Sequence, residues 1–542
     1  MTIEVVGRRL SGSPLLDDYY ARADALAPFF AGSPWDPDAY RRKADEVDRR
    51  FDAAAREDAA AAIRTTSNAA AERVERIRSG DGLVVATGQQ AGLFTGPLYT
   101  VYKALTAVRL AGALERVLER PVAPLFWIAS DDHDWAEVDH AHLLDGRHRL
   151  RRIGVEAEPD SPPRSMARRK LGPGVESALE ALAGTLPDTA AAASLLETVR
   201  AAYRPERTVA EAFGDLMAAL FERFDLLIVD PSHRTVKRRS APLIARELER
   251  TDEHGEALAS QTRRVEAAGY EAQVPVLPGA TNVFYEDERG RERVMRSAEG
   301  WLLRRTRRTM SRGELRHMLE ERPERFSPNV FLRPVVEAAV FPTVAYVAGP
   351  GEMAYYAQLG CLYEEHGIGM PPVHPRASFV LVEPKVREVL DKFELEPEAL
   401  RAPLHEIAAR VLRERMPAEV RDALGRWRRS LDETAERLEQ TAMPIDPTLR
   451  GPIQGARNAM HIELNGLEKR IVRRIKDRDR VTLRQLEKAR VNLFPDSSPQ
   501  ERVINVLQYL ARYGVPLLDE LAASIETDVR SVAPAWAGRG CA

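Results

Sequence analysis

Residues 83–86 (LVVA) and 121–130 (PVAPLFWIAS) are two unbroken apolar runs separated by a glycine-rich turn and a segment of helical periodicity. Runs without polar alternation belong to strands buried on both faces, and such strands occur in parallel sheets covered by helices. Between them, Pro97 opens a helix predicted to reach about Glu119, with Leu98, Val101, Tyr102, Leu105 and Val108 on one stripe. Strand, helix and strand over so short a span form a βαβ unit, which commits the chain to an α/β fold. The turn itself, TGQQAGLFTG, is placed where backbone N–H groups and a helix start converge on phosphate or carboxylate. Its Gly88-x₃-Gly92-x₃-Gly96 spacing is neither the phosphate-loop nor the dinucleotide pattern. Thr87, Gln89, Gln90, Thr95 and Gly96 are therefore generic ligand-binding candidates, joined by Tyr99 and Lys103 on the polar face of the helix start.

The same alternation recurs downstream. Residues 225–230 (DLLIVD), 343–348 (TVAYVA) and 378–382 (SFVLV) read as further buried strands, so the expected core is a doubly wound, Rossmann-like parallel sheet. Ligands in such a fold bind beyond the carboxyl ends of the strands. That places residues 87–103, 130–134, 230–233 and 349–352 together, with Ser130, Gly349 and Glu352 as added candidates. Residues 15–78 read as helices, and residues 234 to about 268 as one long charged helix. Segments 150–205 and 274–325 read as insertions, the second containing a β-hairpin turning at residues 287–290 and a capping box at Ser311 and Glu314. The Arg-rich run 304–308 reads as a solvated face. Residues 1–383 are thus the expected core. Residues 384–491 form an antiparallel coiled-coil hairpin broken at Pro444–Pro447, suited to homodimerisation, and 492–542 return to the core.

Charge and cysteine content narrow the function classes. The 79 Lys and Arg residues against 82 Asp and Glu leave no basic surplus for nucleic acid, and no apolar run approaches membrane-spanning length. Cys361 and Cys541 are too few and too far apart for a disulfide framework or a cysteine metal site, and together with an N-terminus unlike a signal peptide they predict a cytoplasmic protein. At the end of the second strand, Asp131, Asp132, His133 and Asp134 cluster carboxylates with an imidazole. Such carboxylates raise one another's pKa, and Asp132, His133 or Asp134 is the candidate base for an amine or hydroxyl. The alternative is a helix start, where Asp is favoured anyway. His133, Asp134, His140 and His142 are of ligand type but match no metal motif, and no metal is predicted.

Five blocks carry a resemblance: TGQQAGLFTGPLYTVYKA (87–104), FWIASDDHDWAEVDH (126–140), FSPNVFLRPVVEA (326–338), YVAGPGEMAYYAQL (346–359) and LFPDSSPQERVINVLQYLARYG (493–514). In content and order they closely resemble the bacillithiol-biosynthesis cysteine-adding enzymes, the BshC family. The resemblance implies a Rossmann-like core, a dimerising coiled coil, and a reaction joining cysteine to the amine of glucosaminyl-malate. Where the family motif carries Glu, this chain has Asp131, one methylene shorter. Amide formation needs an activated carboxyl, so ATP or another nucleotide could be the energy donor, with Gly96 and Lys103 suited to phosphate. A nucleotide pocket is expected near Phe494, Pro495, Gln500 and Arg502. The alternatives are a nucleotide-binding dimeric scaffold without catalysis, or another amide-forming or nucleotidyl-transferring enzyme.

Overall fold

The computed structural model describes residues 3–7, 9, 12–156, 161–414, 416–478, 480–527 and 529; Cys541 lies outside them. Within residues 3–381 and 499–529, which form one compact unit, the centre is a five-stranded parallel sheet. Its spatial order is Val373–Pro375, Thr343–Ala348, Leu83–Gln89, Val122–Ile128 and Leu227–Val229, so in chain order the strands run 5-4-1-2-3. Thr343–Ala348 and Val122–Ile128 are buried along their whole length and Leu83–Gln89 as far as Gly88, and the helix Leu98–Leu118 packs on them. Leu98, Val101, Tyr102 and Leu105 of the stripe are buried, and Val108 is half-buried. Val84, Ala86, Leu125 and Trp127 join one core cluster and Leu83, Val85 and Val122 another, because alternate side chains of a strand face opposite sides.

Two expectations change. The run at 378–382 forms a strand, Phe379–Val382, but it lies outside the parallel sheet, in a two-stranded ribbon with Glu4–Gly7. The charged helix after residue 233 is two helices, Arg234–Glu249 and Thr251–Ala267, because Arg250 leaves helical geometry at φ −112°, ψ 29°. The segment at 274–325 supplies most of a second, antiparallel five-stranded sheet around the hairpin Ala280–Asp287 and Gly290–Ser297. The capping box holds: the Ser311 hydroxyl accepts from Glu314 N and Glu314 reaches back to Ser311 N.

Residues 382–498 are the second unit. Its two long helices are Ala418–Ala442 and Arg450–Arg478. Ion pairs Arg428–Glu468, Asp432–Arg457 and Glu439–Arg450 link them. One number rises as the other falls, which makes the hairpin antiparallel. Among the described residues, no helix is long and apolar enough to cross a membrane.

Candidate active site

The strand order reverses between Leu83–Gln89 and Thr343–Ala348, and a cleft of about 630 Å³ opens at that point. This is where the ends of two adjacent parallel strands diverge into connections on opposite faces of a sheet. The first strand runs into the cleft as Gly88, Gln89 and Gln90. The strand Val122–Ile128 delivers Asp131, Asp132 and His133, and Thr343–Ala348 delivers Gly349 and Glu352. The antiparallel sheet closes the other side with Phe284, Arg291 and Arg293.

Asp132 and His133 sit against Arg291. The Arg291 Nη1–H donates to His133 Nδ1 at 2.9 Å, and its Nε–H donates to Ser327 Oγ at 3.0 Å. Arginine has no acceptor, so the Nδ1 lone pair is occupied and neutral His133 carries its proton on Nε2. The guanidinium lies 3.8 Å over the Phe284 ring and 4.0 Å from Asp132 Oδ1, and Gln90 Nε2 donates to Asp132 Oδ2 at 2.7 Å. Burial raises the pKa of Asp132, but hydrogen bonding from His133, the Arg291 charge and the Gln90 bond together hold it well below the usual carboxylate range. The expectation that clustered carboxylates raise one another is therefore reversed for Asp132, because cations and donors intervene. Asp131 is met separately by Lys237 Nζ at 2.6 Å. Asp134 is exposed, does not line the cleft, and stands at the start of the short helix Trp135–Val138.

The glycine-rich turn behaves differently from the anion cradle expected of it. Lys103 lines the cleft, but its three protons go to Glu352 Oε2 at 2.5 Å, Gly88 O at 2.6 Å and Gln89 Oε1 at 2.9 Å. It clamps the turn to the next strand's end and has no donor left for a phosphate. Glu352 also accepts from Gly349 N at 2.8 Å and from the Tyr346 hydroxyl at 2.8 Å. The helix start at Gly96 and Pro97 is closed: Leu98 N donates to Ile504 O at 2.9 Å, and Asn505 Nδ2 caps the carbonyls of Phe94 and Gly96, each at 2.8 Å. Thr87 is buried and spends its hydroxyl on Val347 O, and Ser130 spends its hydroxyl on Asp230; Thr87, Thr95, Gly96 and Ser130 are not cleft residues. Gln89, Gln90, Tyr99, Gly349 and Glu352 are.

Of the four residues expected to hold a nucleotide, three lie outside this cleft. Gln500 is buried with both ends of its amide bonded to the Leu381 backbone, at 2.9 and 3.0 Å. Phe494 and Pro495 are buried residues of the 382–498 unit. Of the four, Arg502 alone lines the cleft, exposed at its edge. Three further cleft arginines escaped sequence reasoning. Arg376 is bound in a two-point pair to Glu501, at 2.8 and 2.9 Å, and Arg333 pairs with Glu337 at 3.2 Å. Arg293 lies 5.1 Å over Phe284, with burial and the neighbouring Arg304 and Arg291 charges lowering its pKa. Arg293 and Arg502 take part in no ion pair among the described residues. The available signal was the period of the second strand of the hairpin, which puts Arg291 and Arg293 on one face.

Comparison with known proteins agrees with this layout. Residues 1–377 match the family model described as bacillithiol biosynthesis BshC, N-terminal Rossmann-like domain, and residues 379–527 its C-terminal coiled-coil domain. A Salinibacter ruber protein named "Putative cysteine ligase BshC" is 36% identical over 526 residues, covering 95% of this chain and 94% of that protein. A Chlorobaculum tepidum protein of the same name is 34% identical over 467 residues, covering 84% of this chain and 82% of its own length. With both domains matched along nearly its whole length, the chain belongs to the BshC family of bacillithiol biosynthesis.

Proposed function

We propose that this chain is a ligase that joins the carboxyl group of cysteine to the free amine of glucosaminyl-malate. Its relatives are named as cysteine ligases, and the observation that carries the reading is the cleft: Asp132 and His133 stand against Arg291, beside two guanidiniums, Arg293 and Arg502, outside any ion pair of the described residues. Malate presents two carboxylates, and two arginines suit them. Asp132 is a weak base, so its role is to orient the amine through that group's N–H bonds. His133 is the proton acceptor, and its Nδ1 becomes available when an anion in the cleft draws Arg291 away. The amine nitrogen then attacks the activated cysteine carboxyl carbon, its proton passes to Nδ1, and the bond from that carbon to the activating phosphoryl or nucleotidyl oxygen breaks, releasing the phosphate or nucleotide anion. ATP or another nucleotide is the proposed source of activation. A cytoplasmic location fits a thiol substrate that must stay reduced.

The purified protein incubated with cysteine, glucosaminyl-malate and each nucleoside triphosphate in turn is expected to yield the amide, followed by mass. Asp132→Asn and His133→Ala are expected to lower turnover by roughly 100-fold or more while leaving the circular dichroism spectrum unchanged. Wild-type turnover in both variants would return residues 131–134 to a turn-capping role. Absence of product with every nucleotide would favour a non-catalytic scaffold.

The coiled coil is the proposed homodimer surface. Trp427, Met460 and Leu467 are exposed and line one apolar groove on the hairpin, a feature that solvent alone does not favour.

A further inference from the structure

We propose that Glu247, His254 and His366 bind a divalent transition-metal ion of the zinc class, at a site separate from the cleft. Glu247 lies near the end of the helix Arg234–Glu249, His254 in the first turn of Thr251–Ala267, and His366 at the end of Gly360–Glu365. Each can turn one ligand atom inward, and the three atoms lie within 4.8 Å of one another. All three side chains are at most 1% exposed.

Three observations point to a cation. First, the Glu247 carboxylate is buried, and among the described residues its only ionisable ion-pair partners are the two imidazoles, at 2.6 Å from His254 Nδ1 and 3.6 Å from His366 Nε2. A buried carboxylate without a lysine or arginine is costly unless a cation replaces them. Second, His254 Nε2 and both ring nitrogens of His366 are buried without a hydrogen-bond partner. The rings lie 5.0 Å apart, and one nitrogen of each stands within 4.8 Å of the other and of the carboxylate. Third, the carboxylate is already oriented from behind, since Asn282 donates to Glu247 Oε1 through Nδ2 at 2.8 Å and through its backbone N at 3.3 Å. Ligating carboxylates are held in this way by outer hydrogen bonds. Bonds of about 2.0–2.1 Å to a tetrahedral zinc put neighbouring ligand atoms roughly 3.4 Å apart. The Glu247–His366 separation is close to that, and the Glu247–His254 contact needs to open by less than an ångström, as it would when the shared proton leaves.

The site is structural in character. It ties three helices together, and Asn282 bonds onward to Asn329 at 2.8 Å, whose side chain caps the helix carrying Arg333. Asn329 lines the cleft, so the ion would brace one cleft wall from behind.

The test uses the full-length protein, stripped with a chelator and dialysed against zinc or cobalt. Bound metal near one ion per chain, visible cobalt bands, and a rise of several degrees in Tm are expected. His366→Ala and His254→Ala should lose the bands and the metal-dependent Tm rise, whereas His405→Ala, at a solvent-exposed histidine, should keep both. Should either of these two histidine variants fail to fold, the wild-type titration decides alone. Substoichiometric metal with no cobalt bands, or undiminished binding in folded His366→Ala, would overturn the site and leave the cluster as a proton-sharing triad. Neither result depends on the ligase reaction.

Discussion

At the scale of single residues, four largely buried cations in and around the cleft are each met by a carboxylate. Lys103 answers Glu352, Lys237 answers Asp131, Arg376 answers Glu501, and Arg333 answers Glu337. The last pair is unequal. Burial pushes Glu337 up to about 7, the Arg333 guanidinium opposes it, and Glu352 pushes the same way; Arg333, further bonded to the hydroxyls of Tyr346 and Tyr355, stays protonated. A carboxyl whose folded pKa lies above its unfolded value binds more protons in the native state. Its contribution to stability is therefore full below about 4.5 and is lost as pH rises through about 7. Glu337→Gln keeps the shape and removes the titration. The wild type should lose stability relative to Glu337→Gln by on the order of 1 kcal/mol per pH unit between about pH 5 and 7, measured by denaturant unfolding. A constant difference across that window would show that Arg333 keeps Glu337 ionised.

At the scale of elements, the glycine-rich turn is built for close approach. A Cβ on Gly88 would stand 2.8 Å from the Trp127 carbonyl oxygen on the adjacent strand, and one on Gly92 would stand 2.9 Å from Gly96 Cα. Gly96 also sits at φ +70°, in the left-handed region. Gly88→Ala should thus separate two central strands and loosen the Lys103 bond to Gly88 O, at about 1–3 kcal/mol of stability by thermal unfolding. Unchanged Tm would mean that the strand pair yields more easily than the burial of Gly88 and Trp127 implies. The segment Ile504–Asn505 is the other half of this element, since its carbonyl and amide occupy the helix start that the turn leaves open.

At the scale of the molecule, two compact units divide the labour. One carries the cleft, and the hairpin of the other presents Trp427 at 55% and Met460 at 52% exposure. Trp427→Glu is expected to convert a dimer to a monomer in analytical ultracentrifugation without changing the cleft. A variant that sediments as the wild type would remove this face from the dimer interface.

The βαβ unit, the parallel core, the coiled-coil hairpin and the carboxyl ends where the cleft opens were all legible in the chain. Each rests on local periodicity: unbroken apolar runs, a 3.6-residue stripe, glycines at a turn. Asp132, His133, Gln89, Gln90 and Glu352 could be named because they stand at or just past the ends of those strands, and Tyr99 because it lies in the first turn of the following helix. What the chain could not reveal is pairing across distance. Nothing near Lys103 announces Glu352, 249 residues on, nothing near His133 announces Arg291, and the helix start at Pro97 looks open until Asn505 arrives. The same holds for Glu247, His254 and His366. Local sequence determines which strands and helices form, because backbone geometry and burial patterns are short-range. Whether a lysine is spent, an aspartate held ionised or a histidine left bare depends on charges and donors brought within a few ångströms by tertiary packing alone.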